Sequence, residues 1–403
     1  MRHAHHIVAG LVLLGAARAQ VAITAETLHT MTGPAIENGV IVITGGKVAA
    51  VGPAASTPIP DGHRTLACKV ATPGLLDAHS VVGLSGYLNQ PHDQDQVERS
   101  AAMQPELRAI DAFNARERLV EYLRSLGITT IHTGHGPGML ISGQTMVVKT
   151  TGRSADQDAL LPCAMIAATL GEQALGGGDA KSPQTRAKAV AMLRAKLIEA
   201  RAYAQKRQDA DESKRPAQDL RLDALARVLA GELPLLVTVN REHDIAAALR
   251  VAREFGFKLV LDGAAESYLL LDAIKAQGVP VFPHPPAARA GGALKNATME
   301  LPAILAKAGI PFALQSGYEA YVPKTRVVLW EAGLAIQNGL GAEQALAAIT
   351  RDAATLLGVG ERVGSLAVGM DGDVALFDGD PFEYTTHCVG TVIEGRVVSE
   401  VKR

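Results

Sequence analysis

The feature that most limits how this chain can fold is a long alternation of apolar runs and helical stretches, bracketed at both ends by short β-rich segments. Apolar runs lie at Leu75-Leu76, Ile128–His132, Met146–Lys149, Leu235–Val239, Lys258–Leu261, Val279–Phe282 and Pro311–Leu314. Between them, helical spacing covers 114–126, 183–208, 220–230, 244–255, 267–277, 299–308, 323–338 and 343–357. Strands buried on both faces read as unbroken apolar runs, so this pattern predicts a parallel barrel wrapped in helices. Asn114 and Ser182-Pro183 are placed to start helices.

The two ends have a different texture. Val40–Thr44, Gly45-Gly46 and Lys47–Val51 predict a tight hairpin, and Asp373–Phe377, Val389–Ile393 and Gly395–Val398 predict further strands. Each end has apolar faces that it cannot bury alone. The predicted fold class is therefore α/β, a (β/α)8 TIM-type barrel inserted in a small composite β-sandwich domain. Its expected parts are 20–71, then the barrel 72–363, then 364–403. A chain of 403 residues suits one such unit. Aromatics are only 4% of residues, so Ala, Val, Leu and Ile must fill the core.

Residues 1–19 read as an export signal. Arg2 opens them, Ile7–Ala17 is apolar, and the small residues Ala17 and Ala19 frame a cut before Gln20. The apolar run is too short for a bilayer span, which takes about 20 residues, so no membrane contact is expected after cleavage. The expected location is periplasmic or secreted. A net charge of -2 without a basic stripe argues against nucleic acid. Three cysteines, Cys68, Cys163 and Cys388, do not make a disulfide scaffold. They read as buried thiols, with one Cys68–Cys388 bridge left open. The charged run Gln205–Asp219 reads as a solvated helix end and loop.

Thr72-Pro-Gly-Leu-Leu-Asp-Ala-His79 resembles the first barrel strand of the amidohydrolase superfamily. Ala348–Thr350, Gly364–Leu366, Gly369–Asp373, Asp380-Pro381 and Gly395–Val398 resemble its C-terminal signature, and His243 through Pro280 resembles the imidazolonepropionase-like branch. The resemblance implies a divalent metal at the barrel mouth that activates water for C–N bond hydrolysis. It implies as ligands two histidines one residue apart, a lysine or glutamate, two later histidines and a final aspartate.

This chain departs from that set. His79 stands at the first position, but Val81 replaces the second histidine. Thr238 and Asn240 stand where imidazole is expected, Gly263 replaces the next histidine, and Gly317 the aspartate. Lys149 and Glu172 are weak matches for the lysine or glutamate. A catalytic zinc needs about three protein ligands plus water. No metal or other cofactor is therefore expected at the old centre, where His79 alone is retained. The ligand pocket expected in its place is lined by His79, Thr238, Asn240, Gly263, Gln315 and Gly317.

Other polar groups face the predicted mouth. His135, Asp262, His284 and Glu319 are candidates for acid–base work or for zinc or another divalent metal at a relocated site. Each also has a plainer reading: His132 and His135 as satisfied core or turn histidines, His284 as part of the rigid Phe282–Pro286 turn, and Asp77 as a carboxylate bonded to backbone. Ser80, Ser316 and Cys163 lack a nucleophile elbow, and no phosphate loop is present. The leading reading is an exported amidohydrolase-like protein that is non-catalytic or binds a small-molecule ligand. The second is a hydrolase of C–N bonds with a relocated metal or none. The third is a scaffold subunit of an active homologue, and a homo-oligomer is compatible with all three.

Overall fold

The computed structural model describes residues 20–88, 90–176, 182–319 and 327–401; the expected export segment 1–19 lies outside them. The chain opens with strands β1 (Gln20–Leu28), β2 (Ile36–Thr44), β3 (Lys47–Pro53) and β4 (Arg64–Pro73). The central region adds β5 (Leu75–Ser80), β6 (Ile128–Thr133), β7 (Ile141–Gln144), β8 (Met146–Lys149), β9 (Ala159–Leu161), β10 (Ile166–Thr169), β11 (Leu235–Val239), β12 (Leu259–Gly263) and β13 (Val281–Pro283). Strands β14 (Val374–Phe377), β15 (Cys388–Ile393) and β16 (Arg396–Glu400) close the chain.

Strands from the two ends form one seven-stranded sheet, in the order β16-β15-β14-β4-β1-β2-β3. The β2–β3 hairpin turns on Gly45 and Gly46 at φ 63° and 85°, a left-handed pair that glycine adopts without a Cβ clash. β14 pairs antiparallel with β4, with Val374 opposite Pro73. A bridge between Lys47 and Asp371 ties β3 back to the lead-in of β14, so the sheet curls upon itself. This is a single curled sheet where a two-sheet sandwich was expected.

In the central region, pairing runs strand to strand in a ring. β5 pairs parallel with β6, and β10, β11, β12 and β13 pair parallel in series. Parallel bridges Val281–Phe312 and Ser80–Gly317 carry the ring through 311–317 and back to β5. One stave departs from the uniform direction expected. The segment 141–149 runs antiparallel to both neighbours, with β8 against β6 and β7 against β10.

Alternation then decides what fills the interior. Leu76, Ala78, Leu236, Val260, Phe282 and Ala313 form one buried cluster. Leu235, Val237, Leu259 and Leu261, the odd positions, pack outward against the helices Arg186–Arg207, Leu220–Leu229 and Glu242–Phe255. The predicted helix over 343–357 is two, Ala342–Ala348 and Arg351–Leu356, broken at Ile349-Thr350. Cys68, Cys163 and Cys388 are free thiols. No helix among the described residues is long and apolar enough to cross a membrane.

Candidate functional site at the barrel mouth

Two residues beyond the interior cluster, toward the C-terminal strand ends, the same inward faces turn polar. Leu236 gives way to Thr238, Val260 to Asp262, Phe282 to His284 and Ala313 to Gln315. All four polar residues are buried. His79 joins this layer because β5 does not keep strict alternation. Leu76 and Ala78 already face inward, and the register against β6 shifts between Asp77 and Ser80. A bulge of that kind re-aims a side chain, and it brings the His79 ring inside.

Asp262 is the hub. Its Oδ1 lies 3.0 Å from His79 Nδ1 and accepts from Gln315 Nε2 at 2.8 Å. Its Oδ2 accepts from the Thr238 hydroxyl at 2.6 Å. Burial alone would raise the Asp262 pKa, but the adjacent His79 and the donors Thr238 and Gln315 outweigh it and hold the carboxyl below its ordinary value. Gln315 Nε2 also donates to the Phe282 carbonyl at 2.8 Å.

His132 lies beside this hub, its ring centroid 5.7 Å from that of His79. Its Nδ1 is 2.6 Å from the Ala78 carbonyl and its Nε2 is 2.7 Å from the Thr145 hydroxyl. Burial, then the neighbouring His79, push its pKa down to about 3. Asp77 accepts from the backbone N–H of Ser316 at 3.0 Å and of His79 at 3.3 Å, and from the Ser316 hydroxyl. Burial raises its pKa to about 6 against those bonds.

The other sequence candidates have different surroundings, although His284 belongs to the same inward layer. His135 is buried beside Gly143, and burial pushes its pKa down to about 4 against a smaller opposing effect of the Leu107 carbonyl. His284 sets its Nδ1 2.9 Å from the Pro285 carbonyl. Glu319 is half-buried next to Tyr318, whose ring lies 5.6 Å from that of His79. Gly317 donates its N–H to the His79 carbonyl at 3.2 Å and serves the ring closure. Gly263 adopts φ +74°, and a Cβ there would meet Asn240 Oδ1 at 2.6 Å. Lys149 is buried away from the mouth, against Asp371 and Asp373. Tyr318 and Thr145 are neighbours of the site that the sequence reading did not single out. Tyr318 had a signal, its position directly after the eighth stave; Thr145 had none, because its role comes from the antiparallel stave.

A divalent metal does not fit these donors. Among the described residues His79 offers one uncommitted nitrogen, both His132 nitrogens are engaged, and Asp262 already serves three donors. Val81, Gly263 and Gly317 supply no side-chain donor. Among the described residues, no group of three or more His, Cys, Asp or Glu side chains is arranged to hold a metal ion.

The family model described as "Amidohydrolase family" matches residues 84–399. The amidohydrolase tasK of Hapsidospora irregularis is 25% identical over 80% of this chain, which spans only 36% of that protein's length. The imidazolonepropionase of Rhizorhabdus wittichii is 26% identical over 87% of this chain and 91% of its own. Among solved structures, an amidohydrolase from Thermotoga maritima superposes with a TM-score of 0.88 at 25% identity, covering 94% of this chain and all of that one. A zinc-bound adenosine deaminase from Xanthomonas campestris gives a TM-score of 0.54 at 16% identity over 95% of this chain and 93% of that one, a likeness of fold alone. These neighbours imply a TIM-type barrel with a β-rich domain, in keeping with the ring and the curled sheet.

Proposed function

Because this chain belongs to the amidohydrolase family, in its imidazolonepropionase-like branch, we propose that it is a member in which a hydrogen-bonded cluster around Asp262 has replaced the catalytic metal. In this reading it binds a small molecule at the barrel mouth and does not activate water on a metal. The observation that carries it is the saturation of Asp262 by His79, Thr238 and Gln315. A carboxylate committed to three donors gains little by exchanging them for an ion that finds one further imidazole nitrogen. The signal-like residues 1–19 support an exported protein. A homo-oligomer or a complex with an active homologue is compatible with it.

One feature favours a second reading, hydrolysis of a C–N bond without metal. His79 Nδ1 is held by a carboxylate while Nε2 has no hydrogen-bond partner among the described residues, the arrangement that lets an imidazole act as general base. Purified mature protein decides between them, through its zinc content and through hydrolysis of amide, cyclic amide and dipeptide substrates. Absence of stoichiometric zinc together with absence of turnover is the expected result. One zinc per chain, lost with activity in His79→Ala, overturns both readings. Turnover that survives chelation and disappears in His79→Ala establishes the second.

A further inference from the structure

Away from the barrel mouth, a cavity of about 460 Å3 lies at the seam between the curled end sheet and the barrel helices, a size that suits a small molecule. Its apolar wall is Met31 from the loop after β1, Val70 of β4, Leu346 of the helix Ala342–Ala348 and Phe382 from the turn after β14. All four lie in or pack against one buried cluster that includes Leu119, Leu123 and Ile131 of the barrel. The wall is therefore held from behind by the barrel core.

The polar side of the cavity is acidic. Glu343, in the first turn of the same helix, and Asp380, in the turn after β14, are exposed carboxylates. Asp380 Oδ1 accepts the Phe382 N–H at 2.9 Å, which ties the carboxylate to the apolar wall. His29 joins the lining, and burial lowers its pKa against the pull of Asp380, Glu343 and Glu37. Its ring is thus neutral at pH 7 and cancels neither charge. Among the described residues that line the cavity there is no lysine or arginine. Arg351 feels Glu343 from outside, but it is paired with Asp352 at 2.8 Å.

The lining selects its occupant by chemistry. An anion would meet two carboxylates. A metal ion finds no set of three His, Cys, Asp or Glu side chains arranged to hold it among the described residues, and a bare ion leaves the apolar wall against water. A neutral apolar body uses the wall and not the charges. We propose that the seam binds a small organic ammonium ion with an apolar body, its charge directed to Glu343 and Asp380 and its carbon skeleton to Met31, Val70, Leu346 and Phe382. This site goes beyond the reading of the barrel mouth and does not depend on it.

The test is a saturation-transfer NMR titration of the full chain with three probes of similar shape: phenethylammonium, 2-phenylethanol and 3-phenylpropanoate. Saturable binding is expected in that order, with the anion weakest. Glu343→Gln and Asp380→Asn should each weaken phenethylammonium binding about threefold, the worth of one solvent-exposed charge. The double variant should bind the ammonium and the alcohol alike. Ala342→Trp, at an exposed position on the cavity lining, should block all three probes. Circular dichroism checks that each variant is folded, and the double variant serves if Ala342→Trp is not. Equal binding of the three probes, tighter binding of the anion, or no saturable signal from phenethylammonium overturns the proposal. So does ammonium binding that is unchanged in the folded variants, which places the probe elsewhere on the molecule.

Discussion

Lys149 Nζ lies 2.6 Å from Asp371 Oδ2, joining the antiparallel stave of the ring to the loop that leads into the curled end sheet. The same ammonium reaches Asp373 at 3.1 Å and Glu394 at 3.2 Å, and Lys47 and Arg362 also pair with Asp371. Burial alone would lower the Lys149 pKa, but Asp373, Asp371 and Glu394 outweigh it and raise it. Lys149 is 1% exposed, so its charge is sustained by these partners alone.

Lys149→Met should therefore destabilise the protein by about 3–5 kcal/mol, since it leaves the buried Asp373 without its cationic partner. Urea unfolding followed by circular dichroism measures this. A loss below about 1 kcal/mol, the range of exposed pairs, would show that Lys47 and Arg362 neutralise the cluster without it.

At the barrel mouth, Asp262→Ala should cost about 3 kcal/mol or more, because three buried donors lose their acceptor together. Asp262→Asn should cost less. The Thr238 hydroxyl can rotate to accept from the new amide, while the remaining oxygen keeps Gln315 and His79. Comparison of the two melting curves checks the order, and an equal cost would contradict the bonding described.

Gly263→His places an imidazole at a position where the superfamily pattern has one, yet it should not create a zinc site. The φ of +74° penalises any side chain, and the Cβ would stand 2.6 Å from Asn240 Oδ1. A destabilisation of about 2–4 kcal/mol is expected from strain and overpacking. Zinc titration should show no stoichiometric binding.

His135 predicts an acid weakness. Its folded pKa is near 4, below the usual 6.5, so the unfolded chain takes up a proton first as pH falls. The stability it contributes is complete above pH 6.5 and is lost between 6.5 and about 4. At 1.36 kcal/mol per unit the loss is about 3 kcal/mol. His135→Gln should flatten the difference between unfolding curves taken at pH 7.5 and 4.5.

Much of the architecture was legible from residue patterns, and what was missed has physical reasons. Gly45-Gly46 announced its hairpin because the turn needs left-handed residues. Seven of the ring positions stood out as apolar runs. The stave Ile166–Thr169 did not, because two alanines in a four-residue strand make a weak signal. Nor did the reversal at 141–149, since side-chain alternation has no direction. At the site, Asp262 was noticed beside Gly263, and alternation from Val260 assigns it the inward face. The bulge that swings His79 toward it depends on pairing with β6, which no local pattern records. The bond set of Asp262 is likewise a product of four strands.

The curled sheet carries a consequence for how the molecule comes into being. Residues 73 and 374 are partners in it, so the inner edge of β4 stays bare until nearly the whole polypeptide has been made. Synthesis runs from the N-terminus, and an open edge invites association with other chains while it waits. Pairing across such a separation is slow to nucleate. The first strands to emerge are thus among the last to be sealed, and a chain cut short before β14 would leave its N-terminal sheet without the strand that covers β4.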